Sequence, residues 1–297
     1  MFALADRITV MRGGKIAASG PTTDFTMRDV VSHMLGFDHA QAEKKAIGSK
    51  SDVGDRGLRI LSLTSRGHFR DVSFDASAGS VLALFGQVGS GADDLVKVLA
   101  GLGRVASRAA MLRGEPLPLR SRHQTQKGGI AYVSADRVAE GVFLNASVTT
   151  NVSSGALTEV SDMRIIRRSK ERKLAQEQAR SVSLDPSRIR ENAYAFSGGN
   201  QQKIAIARAL ATRPTVLILN EPTRGVDIGA RAEVYRSIRN LLEDDVIVVA
   251  YSSDIVEIRE LADQVITMYR GGVVGSHRVD DVDDSVLITE ILTGVPG

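Results

Sequence analysis

The segment GQVGSGADDL, residues 86–95, constrains the fold of this chain more than any other stretch. It follows the apolar run VLALF and precedes VKVLAGL, which has the composition of a helix. Glycines spaced G-x-x-G-x-G between a strand and a helix are typical of a loop whose backbone N–H groups hold phosphate. Ala92 and Asp93 occupy the two positions where such a loop carries lysine and a hydroxyl. The segment predicts a strand, a tight turn and a helix, and it leaves open whether the turn still binds a nucleotide.

The rest of the chain predicts a layered α/β domain. Its apolar runs are short, rich in β-branched residues and not alternating, as expected of parallel strands buried on both faces. These runs are VLALF, GIAYV, TVLILN and VIVVAYS. Helical stretches such as SKERKLAQEQARSVSL and GARAEVYRSIRNLLE lie between them. We predict one compact α/β unit from residue 58 to 297, because 43% hydrophobic residues can fill a large core.

An internal repeat links the two ends of the chain. LADRITVMRGGKIAASG from Leu4 is echoed by LADQVITMYRGGVVGSH from Leu261, an offset of 257 residues (261 minus 4). Each copy predicts a hairpin with a Gly-Gly turn and a short helix after it. The offset is the size of a whole domain, so we interpret residues 1–37 as the end of a first domain. A chance match of two hairpins is the alternative.

The segment that joins the two predicted units is polar. Residues 38–57 contain few large apolar side chains and therefore predict a linker. A two-stranded hairpin is marginal in water by itself. We therefore expect the leading hairpin either to be mobile or to lean on the second unit through Ile8, Val10 and Ile16.

The composition narrows the classes of protein. Lys and Arg total 38 against 35 Asp and Glu, and no basic run is interleaved with aromatic residues, which argues weakly against nucleic-acid binding. The chain has no cysteine, so it contains neither a disulfide framework nor a cysteine-based metal site. No apolar run approaches the roughly 20 residues of a membrane-spanning helix. We expect a cytoplasmic protein that meets a membrane only through a partner.

A second glycine-containing segment completes an ordered set of motifs. Ser197 to Lys203, SGGNQQK, is followed by a helix, the strand TVLIL, the acidic segment NEP and Asp227. Together with the loop at Gly86, this order resembles the nucleotide-binding subunits of ABC transporters. SGGNQQK, NEPTRGVDIGA and ADRVAEGVF are most similar to the second half of the tandem ATPase subunits of bacterial monosaccharide importers of the ribose, galactose or xylose type. The resemblance covers nearly the whole chain.

The resemblance implies a fold. A P-loop NTPase-like α/β domain of this family has a mainly parallel sheet with flanking helices and an antiparallel β portion near its start. It also has a helical subdomain, which we expect around Arg167 to Pro186. Residues 1–37 are then the remnant of a first ATPase domain, and residues 58–297 form the complete second one.

The resemblance makes the loop after VLALF the ATP phosphate site, and the residues of this loop depart from the family pattern. Alanine cannot supply a cation, and Asp93 and Asp94 at the start of the helix repel a polyphosphate by on the order of a few kcal/mol per close charge pair. No aromatic residue among 58–66 can stack on adenine, although Phe69 is near. We interpret the loop as degenerate, structurally a tight strand-to-helix turn. Its positions are Gly86, Gly89, Ser90, Gly91, Ala92 and Asp93.

Other positions of the same site also differ from the family pattern. Asn220 stands where the family has an aspartate that orients Mg²⁺, and Ser253 where it has a histidine that reaches the γ-phosphate. Ser134 and Ala135 stand where the family has a glutamine. Glu221 is kept at the position of the catalytic base, and Asp227 at a further family position. No residue set is assigned to a metal from the sequence.

The signature segment keeps the family pattern. In the head-to-tail dimers of the family it acts in trans, closing over the γ-phosphate held by the other half. An ordinary helix cap is the alternative interpretation, because serine and asparagine cap helices well. The signature positions are Ser197, Gly198, Gly199, Asn200 and Gln201.

These features together predict the nucleotide-binding component of an ABC-type sugar importer, peripheral on the inner face of the cell membrane. Its expected partners are an upstream ATPase half or a second ATPase copy, a membrane permease and, indirectly, a periplasmic or lipoprotein sugar-binding protein, with no nucleic acid. ATP and Mg²⁺ are expected in the complex, with weak or no binding and no turnover by the isolated chain. The permease is expected near residues 134–143, where Arg137 and Glu140 could equally form a solvated turn. The alternatives are an inert interaction module and an ABC ATPase without a transport role.

Overall fold

A mainly parallel six-stranded sheet forms the centre of the protein. The computed structural model describes residues 5–12, 15–26, 29–30, 33, 56–106 and 110–296. The strands in these ranges are β1 (Arg7–Arg12), β2 (Lys15–Pro21), β3 (Leu58–Ser65), β4 (Phe69–Ala76), β5 (Val81–Phe85), β6 (Ala110–Leu112), β7 (Glu115–Pro116), β8 (Ile130–Val133), β9 (Ser161–Asp162), β10 (Ile165–Ile166), β11 (Val216–Asn220), β12 (Ile247–Ser252), β13 (Gln264–Tyr269) and β14 (Gly272–Arg278). The order of the central sheet is β14-β13-β5-β12-β11-β8, in which only β14 runs antiparallel to its neighbour.

The helices pack on both faces of this sheet. The helices with both ends inside the described ranges are α1 (Ala92–Leu99), α2 (Arg122–Lys127), α3 (Val148–Ser154), α4 (Leu157–Val160), α5 (Arg168–Ser181), α6 (Gly198–Leu210), α7 (Ile228–Asn240), α8 (Ile255–Leu261) and α9 (Asp284–Thr293). Arg137–Gly141 forms a π-helical turn. No helix within the described ranges combines the length and the apolar composition needed to cross a membrane.

The non-alternating apolar runs are buried as predicted. Every residue of β5, β11 and β12 is buried. Alternate side chains of β5 belong to different clusters, with Val81, Ala83 and Phe85 on one face and Leu82 and Leu84 on the other. The carboxyl ends of the parallel strands lie at one edge of the sheet, which is where ligands bind in folds of this class.

Two smaller parts complete the fold, and both are those that the sequence predicted. A four-stranded antiparallel sheet of order β4-β3-β6-β7 covers the face that carries α1. The helical part contains α3 and α5, of which α5 falls inside the range predicted from Arg167 to Pro186. The buried carboxylate of Glu171 in α5 accepts a hydrogen bond from Ser153 Oγ of α3 at 2.9 Å. This bond ties the two helices together.

The terminal repeat has the same backbone pairing in both copies. Arg7 pairs with Pro21 as Gln264 pairs with Arg278, and both hairpins shift register between the fourth and fifth strand residues. A short 3₁₀ turn follows each hairpin at Thr22–Asp24 and Val279–Asp281. Each of these features is separated from its counterpart by 257 residues (264 minus 7, 279 minus 22). The two hairpins therefore share one local structure.

The surroundings of the two hairpins differ. β13 pairs with β5 on its second edge, whereas within the described ranges β1 pairs with β2 alone. Ile8 and Val10 are buried against Val30 of their own unit. Of the two expectations for the hairpin, mobility or packing against the second unit, the second was wrong for Ile16, which is 67% exposed. Its cross-strand partner is Met11, also exposed, which places both side chains on the outer face of the hairpin. The predicted linker lies outside the described residues except for positions 56 and 57.

Candidate functional site

The glycine-rich loop at the end of β5 has the backbone of a phosphate-cradling turn. Gly91 is the N-cap residue of α1 with φ +93°. A Cβ at Gly91 would lie 2.7 Å from the backbone oxygen of His68, so a larger residue does not fit. The N–H of Gly271 donates to the backbone oxygen of Ser90 at 2.8 Å, which ties the loop to the turn between β13 and β14. The turn is therefore held by contacts that do not involve a ligand.

The first turn of α1 carries two carboxylates that are already paired. Ala92 is fully buried in the core, so its side chain offers nothing to a ligand. Asp93 forms a salt bridge of 2.7 Å with Lys97, one turn further on, and this bond raises the pKa of Lys97. Asp94 lies 3.0 Å from His68 Nδ1. Two negative groups at a helix N-terminus stabilise the helix and oppose the approach of another anion.

Asn220, at the end of β11, is hydrogen-bonded directly to the loop. Its Nδ2 donates to Asp93 Oδ1 at 2.6 Å and to Tyr132 Oη at 3.0 Å. Asn220 is 2% exposed, and its Oδ1 has no hydrogen-bond partner among the described residues. A magnesium ion needs oxygen ligands that face it. Because the amide donates to the carboxylate here, this pair as arranged does not fit Mg²⁺.

Glu221 and Ser253 also pair with each other. Glu221 Oε1 accepts hydrogen bonds from the backbone N–H of Ser253 at 3.1 Å and from its hydroxyl at 2.7 Å. Glu221 has φ +49°, an uncommon value for a residue other than glycine. Glu257 is buried nearby, and burial raises its pKa, with a further contribution from the charge of Glu221. The carboxylates of Glu221 and Glu257 therefore lie close enough at this edge of the sheet to affect each other.

The signature segment begins α6 in a different manner. Ser197 is the exposed N-cap residue, and its side chain makes no capping hydrogen bond. Gly199 is buried, and a Cβ there would lie 2.8 Å from Ala230 Cβ. The side chain of Gln201 donates to the backbone oxygen of Phe196 at 3.0 Å. Asn200 is half-buried, and Gly198 lies against the guanidinium of Arg137.

Arg137 links three segments that are distant in sequence. Its guanidinium donates to the backbone oxygens of Arg224 at 3.1 Å and Gly225 at 3.2 Å, and to Gln201 Oε1 at 3.4 Å. These contacts distinguish Arg137 from a freely solvated charge, an alternative that the sequence left open. Sequence spacing carries no signal for them, because the partners lie 64 to 88 residues away.

Other predicted positions are brought together less closely. Phe69 is 1% exposed in the core, so it is not available to stack on a base. Asp227 is the exposed N-cap residue of α7 and makes no side-chain cap bond. Ser134 donates to Glu140 at 2.5 Å within the 134–143 segment. Arg66 and His68, which belong to no motif of the sequence, line a cavity of about 690 Å³ beside Asp94.

The site contains no preformed metal centre among the residues described. No group of three or more His, Cys, Asp or Glu side chains in the described ranges is placed to hold a metal ion. The structure instead joins four of the predicted residues into two bonded pairs, Asp93 with Asn220 and Glu221 with Ser253.

Several curated proteins are similar to this chain along nearly its whole length. The ribose import ATP-binding protein RbsA 2 of Agrobacterium fabrum is 36% identical over 291 residues, which are 97% of this chain and 57% of that protein. A putative ribose/galactose/methyl galactoside import ATP-binding protein of Ralstonia nicotianae is 34% identical over 276 residues, 93% of this chain and 53% of the relative. The chain thus spans little more than half the length of the curated relatives it matches.

Solved structures share the fold. The ADP conformation of MJ1267, an ATP-binding cassette of an ABC transporter, superposes with a TM-score of 0.68 at 19% identity, covering 78% of this chain and 94% of that one. The cbiO1 protein of Clostridium perfringens, part of the ABC transporter complex cbiONQ, gives 0.66 at 22% identity, covering 80% and 95%. Both support the α/β fold predicted from the sequence.

A protein-family model settles the membership of the chain. The model described as ABC transporter matches residues 69–224, a range that begins at β4 and includes the glycine-rich loop, the signature segment and Glu221. This is more than half of the 297 residues. The chain therefore belongs to the ABC transporter family, as an ATP-binding domain of that family.

Proposed function

We propose that this chain is the nucleotide-binding component of an ABC-type sugar importer in which it supplies the signature segment Ser197–Lys203 to the ATP site of another cassette. Its own loop, Gly86–Asp93, no longer holds MgATP. The observation that carries the proposal is the direct hydrogen bond from Asn220 to Asp93, at the two positions where the family holds the metal.

Two features of the loop support its loss of ATP binding, and a third, beside the loop, supports the loss of hydrolysis. Both carboxylate oxygens of Asp93 already accept a hydrogen bond, one from Lys97 and one from Asn220, so a cation would compete with both contacts. Ala92 supplies no positive charge, and Asp94 adds a second carboxylate close to where phosphates would lie. Glu221, at the position of the catalytic base, is bound to Ser253 and has no held substrate to act on.

The signature segment has the features that action in trans requires. Ser197 is exposed at the start of a thirteen-residue helix, its hydroxyl makes no capping hydrogen bond, and the first turn of that helix carries no acidic residue. A γ-phosphate presented by another cassette would meet this hydroxyl and the N–H groups at the helix start. Arg137 and the packing of Gly199 hold the segment in place.

The N-terminal hairpin points to the identity of that other cassette. The shared register and following 3₁₀ turn of β1–β2 and β13–β14 support the proposal that residues 1–37 are the end of a first ATPase domain, joined by a linker at residues 38–57 to the second, residues 58–297. The P-loop that Ser197 faces then belongs to an upstream half or a second ATPase copy.

The remaining partners follow from the relatives. One of these relatives is described as a ribose import ATP-binding protein, and another as a putative ribose/galactose/methyl galactoside import ATP-binding protein. On this basis the chain works on the inner face of the membrane with a permease, near residues 134–143, and indirectly with a sugar-binding protein. ATP and Mg²⁺ act at the level of the complex.

A phosphate-release assay tests the proposal. The 297-residue chain should bind MgATP poorly and hydrolyse it no faster than background, and hydrolysis should begin when a cassette with an intact P-loop is added. Ala92→Lys should not restore turnover to the chain alone, because Asp93, Asn220 and Ser253 are unchanged. Turnover by the chain alone that Glu221→Gln abolishes would contradict the proposal. No turnover with any added cassette would favour the inert-module alternative.

A further inference from the structure

The short hairpin of β9 and β10 presents apolar side chains to solvent at the edge of the helical part. Asp162 pairs with Ile165 across the hairpin, which leaves Met163 and Arg164 as a two-residue turn. Met163 is 93% exposed, Ile165 is 63% exposed and Ile166 is 41% exposed. Removing such side chains from water is favourable, and apolar side chains grouped on a surface mark sites of interaction with proteins or membranes.

The backbone holds this turn in a conformation that bulky residues rarely adopt. The φ angle is +46° at Met163 and +68° at Arg164. Two-residue turns with both φ angles positive usually carry asparagine and glycine, which adopt them at little cost. Methionine and arginine are therefore strained here, and strain of this kind is found at functional positions. The fold itself does not require either residue at the turn.

The segment that contains the hairpin is strongly basic. Residues 161–173, SDMRIIRRSKERK, contain six Lys and Arg against two Asp and Glu, a net charge of +4 (6 minus 2). The whole chain has a net charge of +3, so this one segment carries a larger positive charge than the chain as a whole. Such a concentration of charge at one place indicates an acidic partner.

Three of the six cations remain available to such a partner. Asp162 forms salt bridges with Arg167 at 3.1 Å and Lys170 at 2.5 Å. The buried carboxylate of Glu171 pairs with Arg168 at 2.9 Å. These contacts occupy both carboxylates of the segment. The other three cations are exposed and make no ion pair shorter than 3.9 Å with a described residue: Arg164, Arg172 and Lys173.

We propose that residues 163–173, the basic tip, bind the surface of a membrane that contains anionic phospholipids. The apolar side chains of the turn enter the boundary between headgroups and acyl chains, and the cations stay at the level of the lipid phosphates. An anionic surface attracts a polybasic segment, and each cation adds to the affinity. The basic tip has no aromatic residue that could stack on a base, which favours lipid over nucleic acid. We expected the chain to meet a membrane through a partner, and the basic tip adds a direct contact.

The position of the basic tip agrees with the membrane side of the proposed importer. Glu159, just before the hairpin, forms a salt bridge of 3.5 Å with Arg213, which follows α6. In the last turn of α6, Arg208 donates to the backbone oxygen of Gly141, within the segment proposed to meet the permease. The hairpin and that segment therefore lie at the same end of α6. Only this orientation rests on the proposed function, because the test of lipid binding uses neither ATP nor a permease.

Sedimentation of the 297-residue chain with lipid vesicles tests the proposal. Vesicles of phosphatidylcholine and phosphatidylglycerol in equal parts should bind the chain, and vesicles of phosphatidylcholine alone should not. Added NaCl should weaken the binding, because salt screens exposed charges. Equal binding to both kinds of vesicle, or binding to neither, would overturn the proposal. So would tighter binding to a single-stranded oligonucleotide than to the anionic vesicles, which would assign the basic tip to nucleic acid.

Two triple variants of equal charge locate the binding. Replacing the three available cations of the basic tip with glutamine should weaken binding about a hundredfold, at about fivefold for each cation. The control removes the same charge from exposed positions elsewhere and should keep most of the affinity. The tip variant is Arg164→Gln, Arg172→Gln and Lys173→Gln, and the control variant is Arg66→Gln, Arg70→Gln and Arg236→Gln. Equal losses in the two variants would show that net charge alone attracts the chain, and the proposal would fail.

A fluorescent side chain at the turn reports insertion. The chain has no tryptophan, so Met163→Trp introduces a single fluorophore at the exposed turn. With anionic vesicles its emission should shift to shorter wavelength, and lipids with brominated acyl chains should quench it. Ser276→Trp, at an exposed position of β14, is the control and should show neither change. An unchanged spectrum of Met163→Trp on saturating anionic vesicles would overturn the proposal, because the turn would then remain in water.

Discussion

Two glycine-containing turns in this molecule each begin a helix, Gly86–Gly91 before α1 and Ser197–Gly199 at the start of α6. The first turn of α1 contains Asp93 and Asp94, whereas the first turn of α6 contains no acidic residue. The chain's own carboxylates therefore stabilise the positive N-terminal end of α1. The N-terminal end of α6 has no such carboxylate and remains open to an anion from outside the chain. The comparison teaches that backbone shape and ligand chemistry are separable, since the α1 turn keeps the shape of a phosphate site with the opposite charge.

The largest effect is expected where the open turn is blocked. In a reconstituted pair with an intact upstream cassette, Ser197→Arg should reduce ATP hydrolysis by about 10²-fold or more, because a long cation replaces the hydroxyl that faces the γ-phosphate. Steady-state phosphate release measures it. Ser187→Arg, at an exposed serine of the helical part, is the control and should leave the rate unchanged.

The other turn should respond in the opposite manner. Glu221→Gln in the same pair should change the rate little, since Glu221 lies beside the loop that lacks its substrate. If Glu221→Gln stops hydrolysis while Ser197→Arg does not, the roles of the two turns are reversed and the comparison fails.

A smaller effect, on stability, is expected from restoring the family's aspartate. Asn220→Asp replaces a donor 2.6 Å from Asp93 with a second carboxylate in a buried position. We expect a loss on the order of 2–3 kcal/mol in the free energy of unfolding at neutral pH. Urea unfolding measures it, and Asn220→Ala, which removes the donor without adding charge, should lose less.

The effect of added Mg²⁺ on the stability of these variants tests the prediction further. In Asn220→Asp two carboxylates face each other, a ligand set that a divalent cation accepts. Added Mg²⁺ should therefore recover part of the lost stability in Asn220→Asp and leave the wild type and Asn220→Ala unchanged. An equal response of all three proteins would show that the Asp93–Asn220 pair is not what prevents metal binding.

The sequence predicted the architecture better than the site contacts. Apolar runs without alternation report burial on both faces, so the β5, β11 and β12 strands were evident, as was the α5 helix. The Gly-Gly turn between two apolar runs in each copy of the terminal repeat also predicted both hairpins. These features depend on local pattern, which a single sequence contains.

The contacts at the site depend on pairs that are distant along the chain. The sequence placed Asn220 at the position of an aspartate that orients Mg²⁺ in the family, and nothing in it indicated that the Asn220 amide donates to Asp93, 127 residues away. Arg137 was left between two interpretations for the same reason. The expectation that Ile16 packs on the second unit failed for another reason. The hairpin register places Ile16 and Met11 on the exposed face of a sheet that has no further strand in the described ranges.

The smallest of the expected changes in stability comes from Glu257, a buried carboxylate whose pKa is affected by the charge of Glu221. Glu257 is 2% exposed, and burial raises its folded-state pKa, with added repulsion from Glu221 and Asp254. A raised pKa means that the folded protein holds the proton more tightly. The contribution of Glu257 to stability is therefore fully present below its unfolded pKa and is lost as the pH rises through its folded pKa.

Glu257→Gln removes this titration and keeps an oxygen that can accept the 2.6 Å hydrogen bond from Thr223. The variant should be more stable than the wild type at neutral pH by about 1 kcal/mol, and the difference should vanish in acid below the unfolded pKa of about 4.3. Unfolding by urea across this pH range measures it, with Glu243→Gln, an exposed glutamate, as the control. A Glu257→Gln protein less stable at neutral pH would mean that the charged form is favoured in place. In that case the charge of Glu257 would stabilise the part of the molecule that carries the glycine-rich loop. The electrostatic difference between that part and the α6 turn would then be smaller than the structure indicates.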